Sequence, residues 1–323
     1  MRQFSTVEAP FYGNESLLAA LDRFALGRWP HTILLLGPEG SGRHTLAKII
    51  AGMVLCREQG RHTSSDRCLC CQKILRDVHP DFITLTAENK SGALTVRQLR
   101  DELVSSLPVF PHEAEKKIYF CASPLAPAGQ NLLLKSLEEP PEHTIFLLSG
   151  TSEAQFLDTV RSRAVPLQLS PLSEADLRHL IPRAAEQPLL YPLSGGWAGQ
   201  ALSLSDEILE TVSQWTDHLL CALLTRKEYD FLAALEQADR KGQADLTLRC
   251  AVYLLRVSLG LAPALPDCAA AGTVSRCAAD WSAAKRCRIL SVIEDYLSAN
   301  AVGRNKTLRS TALAASLFSS RTR

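Results

Sequence analysis

Apolar positions recur along this chain with two different periods. Between 32 and 169, short unbroken apolar runs alternate with segments whose apolar residues return every third or fourth position. The runs are Thr32–Leu36 (TILLL), Phe82–Thr86, Lys117–Cys121, Thr144–Ser149 and Val165–Leu169. Such runs fit strands buried on both faces. The helical period marks Glu15–Leu26, with Leu17, Leu18, Leu21 and Phe24 on one face and Asn14 as a suitable N-cap. It returns at Leu46–Leu55, at Val96–Val104 with Val96, Leu99 and Leu103 toward a core, at Gln130–Glu138 before Pro140-Pro141, and at Glu153–Val160. Strands alternating with helices predict a parallel sheet covered by helices on both faces.

From Leu172 the apolar runs stop. Ser173 caps a helix over 173–182, with Asp176 three residues on. Ser194-Gly195-Gly196 breaks the chain, and Ala198–Leu204 reads as one more short helix. Long amphipathic patterns follow at Ile208–Leu224, Glu228–Ala238, Ala244–Leu261, Trp281–Ser298 and Leu308–Phe318, with Ala262–Val274 reading as a linker. This region holds no cluster of catalytic residue types. Packing, or assembly with similar modules, is its expected role.

Composition narrows the class. The 323 residues suffice for two or three cores, and 46% hydrophobic with 21% charged residues marks a globular chain. A formal net charge of +1 gives no general attraction to nucleic acid or membrane, so any nucleic-acid contact must be local. No apolar run approaches spanning length, and MRQFSTVEAPFYG lacks the apolar core of a signal peptide. The expected compartment is the cytoplasm. The ten cysteines then read as free thiols or metal ligands before disulfides.

The candidate chemistry begins at TILLLGPEGSGRHT, 32–45. A strand, a glycine loop with Gly37, Gly40 and Gly42, and a helix follow one another, the context of a phosphate-binding P-loop. The end of the loop departs from G-x-x-x-x-G-K-[ST]. Arg43 stands in place of the lysine and His44 in place of the magnesium-binding hydroxyl. Thr45 is one position further along the helix and points elsewhere. A chance glycine turn does not account for position, length and flanks together. The loop shape is kept and the catalytic groups are not.

HPDFITL at 79–85, NLLLKSLEEPPEHTIFLL at 131–148, VRSRA at 160–164 and NKTLRSTALAASLF at 305–318 carry a resemblance. The chain is similar, over essentially its whole length, to the delta-prime family of bacterial DNA polymerase III clamp-loader subunits, AAA+ proteins. The resemblance implies an α/β P-loop (AAA+) parallel-sheet domain over 1–170 with a cysteine insert at 56–71, a small helical lid over 171–206, and an all-α collar domain for oligomerisation over 207–323. In AAA+ motors the third strand ends in paired acids that hold magnesium and polarise the attacking water. Registered on LEEPP, those positions are Phe120 and Cys121. Sensor-like polar residues survive as Thr151 and Ser152. In SGGWAGQAL, 194–202, Gln200 falls where active members have a basic residue on the γ-phosphate. Three altered places imply a chain that does not hydrolyse ATP. Whether its P-loop holds a nucleotide passively stays open.

The same resemblance implies one retained catalytic group. Clamp loaders present Ser-Arg-Cys, whose arginine reaches the ATP of the neighbouring subunit. Here the motif is Ser162-Arg163-Ala164, so Arg163 is the expected in-trans arginine finger. A surface arginine paired with an acid is the alternative. Arg161 fits a structural role.

Family members also carry four zinc-binding cysteines after the P-loop helix. The corresponding set here is Cys56, Cys68, Cys70 and Cys71, implying a structural zinc. Cys68-x-x-Cys71 has knuckle spacing. Counting back places the remaining ligand at Ser65, with Cys70 or His62 as substitutes. An eroded site with free thiols is the alternative.

The expected function is a non-hydrolysing clamp-loader subunit of the replicative DNA polymerase III, a component of the DNA-directed DNA polymerase holoenzyme. It would help load the sliding clamp onto primed DNA and lend Arg163 to a neighbouring ATPase. Implied partners are the gamma/tau ATPase subunits and the delta subunit, with the clamp and primer–template DNA reached through the complex and no membrane. The alternative is an active AAA+ motor, gamma/tau-like, of the same complex. A small-molecule kinase would share the P-loop but not the LEEPP segment or the helical tail.

Overall fold

A computed structural model describes residues 4, 6–7, 10–60, 67–89, 92–263, 269–298 and 306–319. The chain divides into two compact units, Met1–Ile181 with Gly196–Gln200, and Pro182–Gly195 with Ala201–Arg323. The expected lid, 171–206, is shared between them.

The first unit runs α1 (Glu15–Leu26), β1 (Thr32–Leu36), α2 (Arg43–Leu55), α3 (Leu69–Leu75), β2 (Phe82–Leu85), α4 (Val96–Gln98), β3 (Lys117–Cys121), α5 (Pro127–Glu138), β4 (Thr144–Gly150), α6 (Asp158–Arg161), β5 (Val165–Gln168) and α7 (Glu174–Leu180). All strand pairs are parallel, in the order β2-β3-β4-β1-β5. This is the expected α/β parallel sheet, with the glycine loop following β1. Side-chain alternation explains the unbroken apolar runs. Ile33, Leu35, Ile118, Phe120, Ile145 and Leu147 face the layer built by α1 and α2. Leu34, Leu36, Tyr119, Cys121, Phe146 and Leu148 face the layer that holds Leu99, Leu133, Leu137 and Val160. Both faces of the central strands are covered, which selects apolar residues along them and leaves the buried polar ones, Thr32, Lys117, Thr144 and Ser149, at or near the strand ends.

Several local expectations are corrected. Helix α2 starts at Arg43, not Leu46, because the loop feeds the helix directly after Gly42. Asn14 flanks α1 with a left-handed backbone (φ 56°) and makes no capping bond. Its amide instead bonds Ser170 both ways, accepting from the Ser170 N–H at 2.7 Å. Val96–Val104 is helical, but α4 passes into a π turn at Leu99–Leu103, with Leu99 and Leu103 buried and Val96 only half-buried. The helix expected over Glu153–Val160 is broken into a 3-10 turn, Glu153–Gln155, and α6. Phe156 is buried at the break and the Leu157 N–H is taken by Gln130.

The second unit is helical. It holds α8 (Leu190–Ser194), the end of α9 (Ala198–Ser203), α10 (Asp206–Thr225), α11 (Glu228–Arg240), α12 (Ala244–Ser258), α13 (Ala271–Asp280), α14 (Ala283–Ser298) and α15 (Lys306–Phe318). Helix α10 packs on α11, α12 and α13, and α15 on α11 and α14, where Phe231 meets Phe318 edge-on at 5.8 Å. Helix α13 starts inside the stretch read as a linker, 262–274, and runs on to Asp280, beyond any helix expected from sequence. Its small residues hide the pattern, yet Thr273, Val274 and Cys277 form a buried face. Among the described residues no helix is long and apolar enough to cross a membrane.

Candidate functional site

The glycine loop leaves β1 and enters α2. Gly40 (φ 77°) and Gly42 (φ 96°) take left-handed conformations that a side chain would strain. The first turn of α9 packs directly on this loop. The Gly199 N–H donates to the Gly40 carbonyl at 2.9 Å, and the Gln200 amide donates to the Glu39 carbonyl at 3.0 Å. A Cβ on Gly40 would lie 2.7 Å from the Gln200 nitrogen and one on Gly199 would lie 2.6 Å from the Gly40 Cα, so both segments need glycine at the crossing. Gln200 thus holds the loop backbone.

The first turn of α2 carries Arg43 and His44. Burial draws the Arg43 guanidinium below its ordinary pKa, against Glu39, though it stays charged at any physiological pH. Burial also draws His44 below the usual histidine value. Asp77 opposes this, and Lys48 and Arg43 add to it. His44 is therefore a neutral imidazole at pH 7. Its ring stands T-shaped against Phe120, centroids 4.9 Å apart, and Phe120 stacks on Phe82 at 6.3 Å. Next along β3, Cys121 is fully buried, and burial pushes its thiol up to about 12. Aromatic rings and a neutral thiol occupy the positions matched to the hydroxyl and the paired acids. Thr151 and Ser152 are exposed just beyond β4, the Thr151 N–H donating to Gln155 Oε1 at 2.9 Å.

Arg163 lies at the other end of the sheet. In the parallel register Ile33 pairs with Val165 and Leu36 with Gln168. Arg163 therefore sits below the start of β1, while the P-loop follows its end. About six residues of extended chain, roughly 20 Å, separate the two levels. Strand β5 is the edge of the sheet. Arg163 Nη1 donates to the Thr159 carbonyl at 2.9 Å and to Ser162 Oγ at 3.1 Å, and Nη2 lies 2.9 Å from Glu138 Oε1. Arg161 pairs with Asp158 on its own helix.

The turn that presents Arg163 is tied down by Gln130, a residue given no role from sequence. Gln130 is 1% exposed. Its amide nitrogen donates to the Leu125 and Gln155 carbonyls at 3.0 and 2.8 Å, and its oxygen accepts from the Leu157 N–H at 2.8 Å. The signal was present: a polar residue in register with the buried Leu133 and Leu137 of α5.

Of the four candidate zinc cysteines, three converge. Cys56 closes α2, Cys68 caps α3, and Cys71 is in its first turn. Their Sγ atoms lie within 4.8 Å of one another, with Cys56 and Cys68 at 3.6 Å. Four sulfurs around zinc sit roughly 3.8 Å apart for Zn–S bonds near 2.3 Å, so this trio fits three corners of a tetrahedron. Burial pushes the Cys68 thiol up, but N–H donors of Cys71 and Cys70 and the Cys56 and Cys71 thiols bring it below its ordinary value. Cys70 departs from the expected set. Its Sγ is 3.4 Å from His79 Nε2, and burial with the nearby Cys56 and Cys68 pushes it up to about 12. Helical geometry turns it away from its neighbour Cys71. His62 and Ser65, the other candidates for a fourth ligand, lie outside the described residues.

Beside the cysteines, the fully buried Asp81 accepts the N–H groups of His112, Glu113 and Ala114 at 2.7, 2.7 and 2.9 Å. Burial opposes its charge, but the three donors and His79 outweigh it and hold its carboxyl below the usual range. Asp81 fixes the loop before β3.

Residues 14–173 match the sequence profile of the family described as DNA polymerase III, delta subunit. A DNA polymerase III subunit gamma of Buchnera aphidicola is 31% identical over 176 residues, 52% of this chain and 47% of the relative. A subunit delta' of Yersinia pestis is 34% identical over 139 residues, 42% of this chain and 41% of the relative. A subunit delta' of Pseudomonas aeruginosa is 33% identical over 175 residues, 51% and 53% of the two chains. The chain thus spans about half the length of these relatives. Among solved structures, a gamma subunit-related protein of Thermotoga maritima aligns over 95% of this chain and 100% of its own, with 16% identity and a TM-score of 0.47.

Proposed function

We propose that the chain belongs to the DNA polymerase III delta-subunit family that its residues 14–173 match, alongside delta-prime and gamma relatives, and that it is the non-hydrolysing member of a clamp loader. It holds the AAA+ shape, does not split ATP, and supplies Arg163 to a neighbouring subunit's ATP. Its partners are gamma/tau ATPase subunits and a delta subunit, and through the complex the sliding clamp and primer–template DNA, in the cytoplasm.

One observation carries this reading. Arg163 and the P-loop sit at opposite ends of β5 and β1 in a parallel sheet. A guanidinium so placed cannot reach a nucleotide on its own P-loop. It can reach one on an adjacent subunit, where it would neutralise charge building on the transferring phosphoryl group. At the P-loop, Arg43, His44, Phe120, Cys121 and Gln200 offer no carboxylate for magnesium, and the imidazole of His44 is packed edge-on against Phe120.

Cys56, Cys68 and Cys71 would hold a structural zinc. Such an ion would tie the end of α2 to the start of α3 and supply no open catalytic position. The second reading, an active gamma/tau-like motor, draws on the likeness to gamma subunits. Steady-state phosphate release by the purified chain with magnesium and ATP separates the two. Background turnover is expected; turnover at rates of a working motor overturns the proposal.

A further inference from the structure

Arg163 does not point freely into solvent. Its Nη2 lies 2.9 Å from Glu138 Oε1, with 35% of the Arg163 side chain and 51% of the Glu138 side chain exposed. Glu138 is the last residue of α5. That is a poor place for an acid on stability grounds, since the helix ends with partial negative charge and favours cations there. Glu139 follows at the C-cap and adds a second carboxylate to the same end. The helix end and the Glu138 carboxylate form a negative pole beside Arg163, with Lys135 the basic residue of the same last turn. The two bonds from Nη1, to the Thr159 carbonyl and Ser162 Oγ, are made within the same turn and keep the guanidinium at this pole.

We infer that Glu138 is the positioning residue for Arg163: it parks the guanidinium while no phosphate faces it and yields it when a neighbouring subunit binds ATP. This rests on the proposed finger role of Arg163. A half-exposed pair of this kind is weak enough to exchange one anion for another. A triphosphate offers more charge and matches the guanidinium fork bidentately, so it outcompetes a single carboxylate. Finger engagement then depends on ATP in the neighbour, and the interface does not close on an empty site. The exchange happens as ATP binds. It enters the apparent affinity for ATP and cancels from the chemical step.

The test uses the chain assembled with its ATPase partners and measures kcat and KM for ATP in four proteins: wild type, Glu138→Gln, Arg163→Ala and the double variant. Glu138→Gln is expected to lower KM about two- to fivefold with kcat unchanged, the range an exposed ion pair permits. The effect should shrink as ionic strength rises from about 0.05 to 0.3 M, because an exposed pair is screened. It should vanish in the Arg163→Ala background, whereas a purely structural role of Glu138 would persist there. An unchanged KM, or an equal effect in both backgrounds, overturns the positioning role and leaves the finger standing if Arg163→Ala alone slows turnover. If Arg163→Ala leaves turnover unchanged, the finger assignment fails, and the role of Glu138 with it. Thermal midpoints and assembly of all four proteins are measured alongside, and Glu138→Ala serves as a second charge-removing variant.

Discussion

His44 and Phe120 meet edge to face, ring centroids 4.9 Å apart, where the first turn of α2 crosses the end of β3. In a working P-loop ATPase this crossing holds a magnesium ion between a hydroxyl and an acid. Here it is aromatic packing, contributing about 0.5–1.5 kcal/mol beyond area burial. Restoring the loop alone therefore does not restore the chemistry. The double variant Arg43→Lys, His44→Thr is expected to release phosphate no faster than wild type and to be about 1 kcal/mol less stable in urea. Measurable magnesium-dependent turnover in that variant would count against the assignment.

Arg163→Ala is expected to leave the isolated chain folded, since its partners are an exposed carboxylate and its own turn. In the assembled complex, hydrolysis at the site it faces should fall at least about a thousandfold. Rapid-quench measurement should show the phosphate burst losing the share of that site. A full burst argues against the finger.

The sulfur geometry makes a selective statement about zinc. Cys56→Ser, Cys68→Ser and Cys71→Ser should each lower zinc content, measured by elemental analysis after preparation without added metal. Cys70→Ser should retain it, because that thiol faces His79. Loss of zinc in Cys70→Ser would return this residue to the ligand set.

Gln130→Leu tests how the Arg163 turn is held. The substitution fits the helix but strands the Leu125 and Gln155 carbonyls and the Leu157 N–H. A loss of about 2–4 kcal/mol is expected by denaturant titration. The Asp158–Arg163 turn should also gain amide exchange relative to β1. A loss well under 1 kcal/mol would mean water replaces the amide.

Asp81 gives a pH dependence. Its folded pKa lies below the unfolded value near 3.9. Its contribution is therefore complete above about pH 4 and is lost as pH falls through the depressed native value. Asp81→Asn should cost about 1–3 kcal/mol at pH 7, with the gap to wild type closing on acidification. A gap that stays constant down to pH 2 would exclude the charge as the cause.

Much of this molecule was readable from the order of its residues. The apolar runs at Thr32–Leu36 and Lys117–Cys121 became strands with those bounds, and α1 spans Glu15–Leu26 as expected. A strand dry on both faces and a one-faced helix each leave a period in the chain. The residue types at Arg43 and His44 were equally legible, whereas Phe120 and Cys121 entered through the resemblance, and the structure brings Phe120 against His44. What the order of residues could not decide were partners distant along the chain. Asn14 looked like a cap and bonds Ser170; Cys70 looked like a ligand and faces His79; Gln130 looked unremarked and anchors the Arg163 turn. Each of these side chains had a local option and a distant one, and only the packed sheet and helices fix which lies within hydrogen-bond reach. The placement of Arg163 belongs with them: parallel pairing of β1 with β5 sets it a sheet's length away from its own phosphate loop.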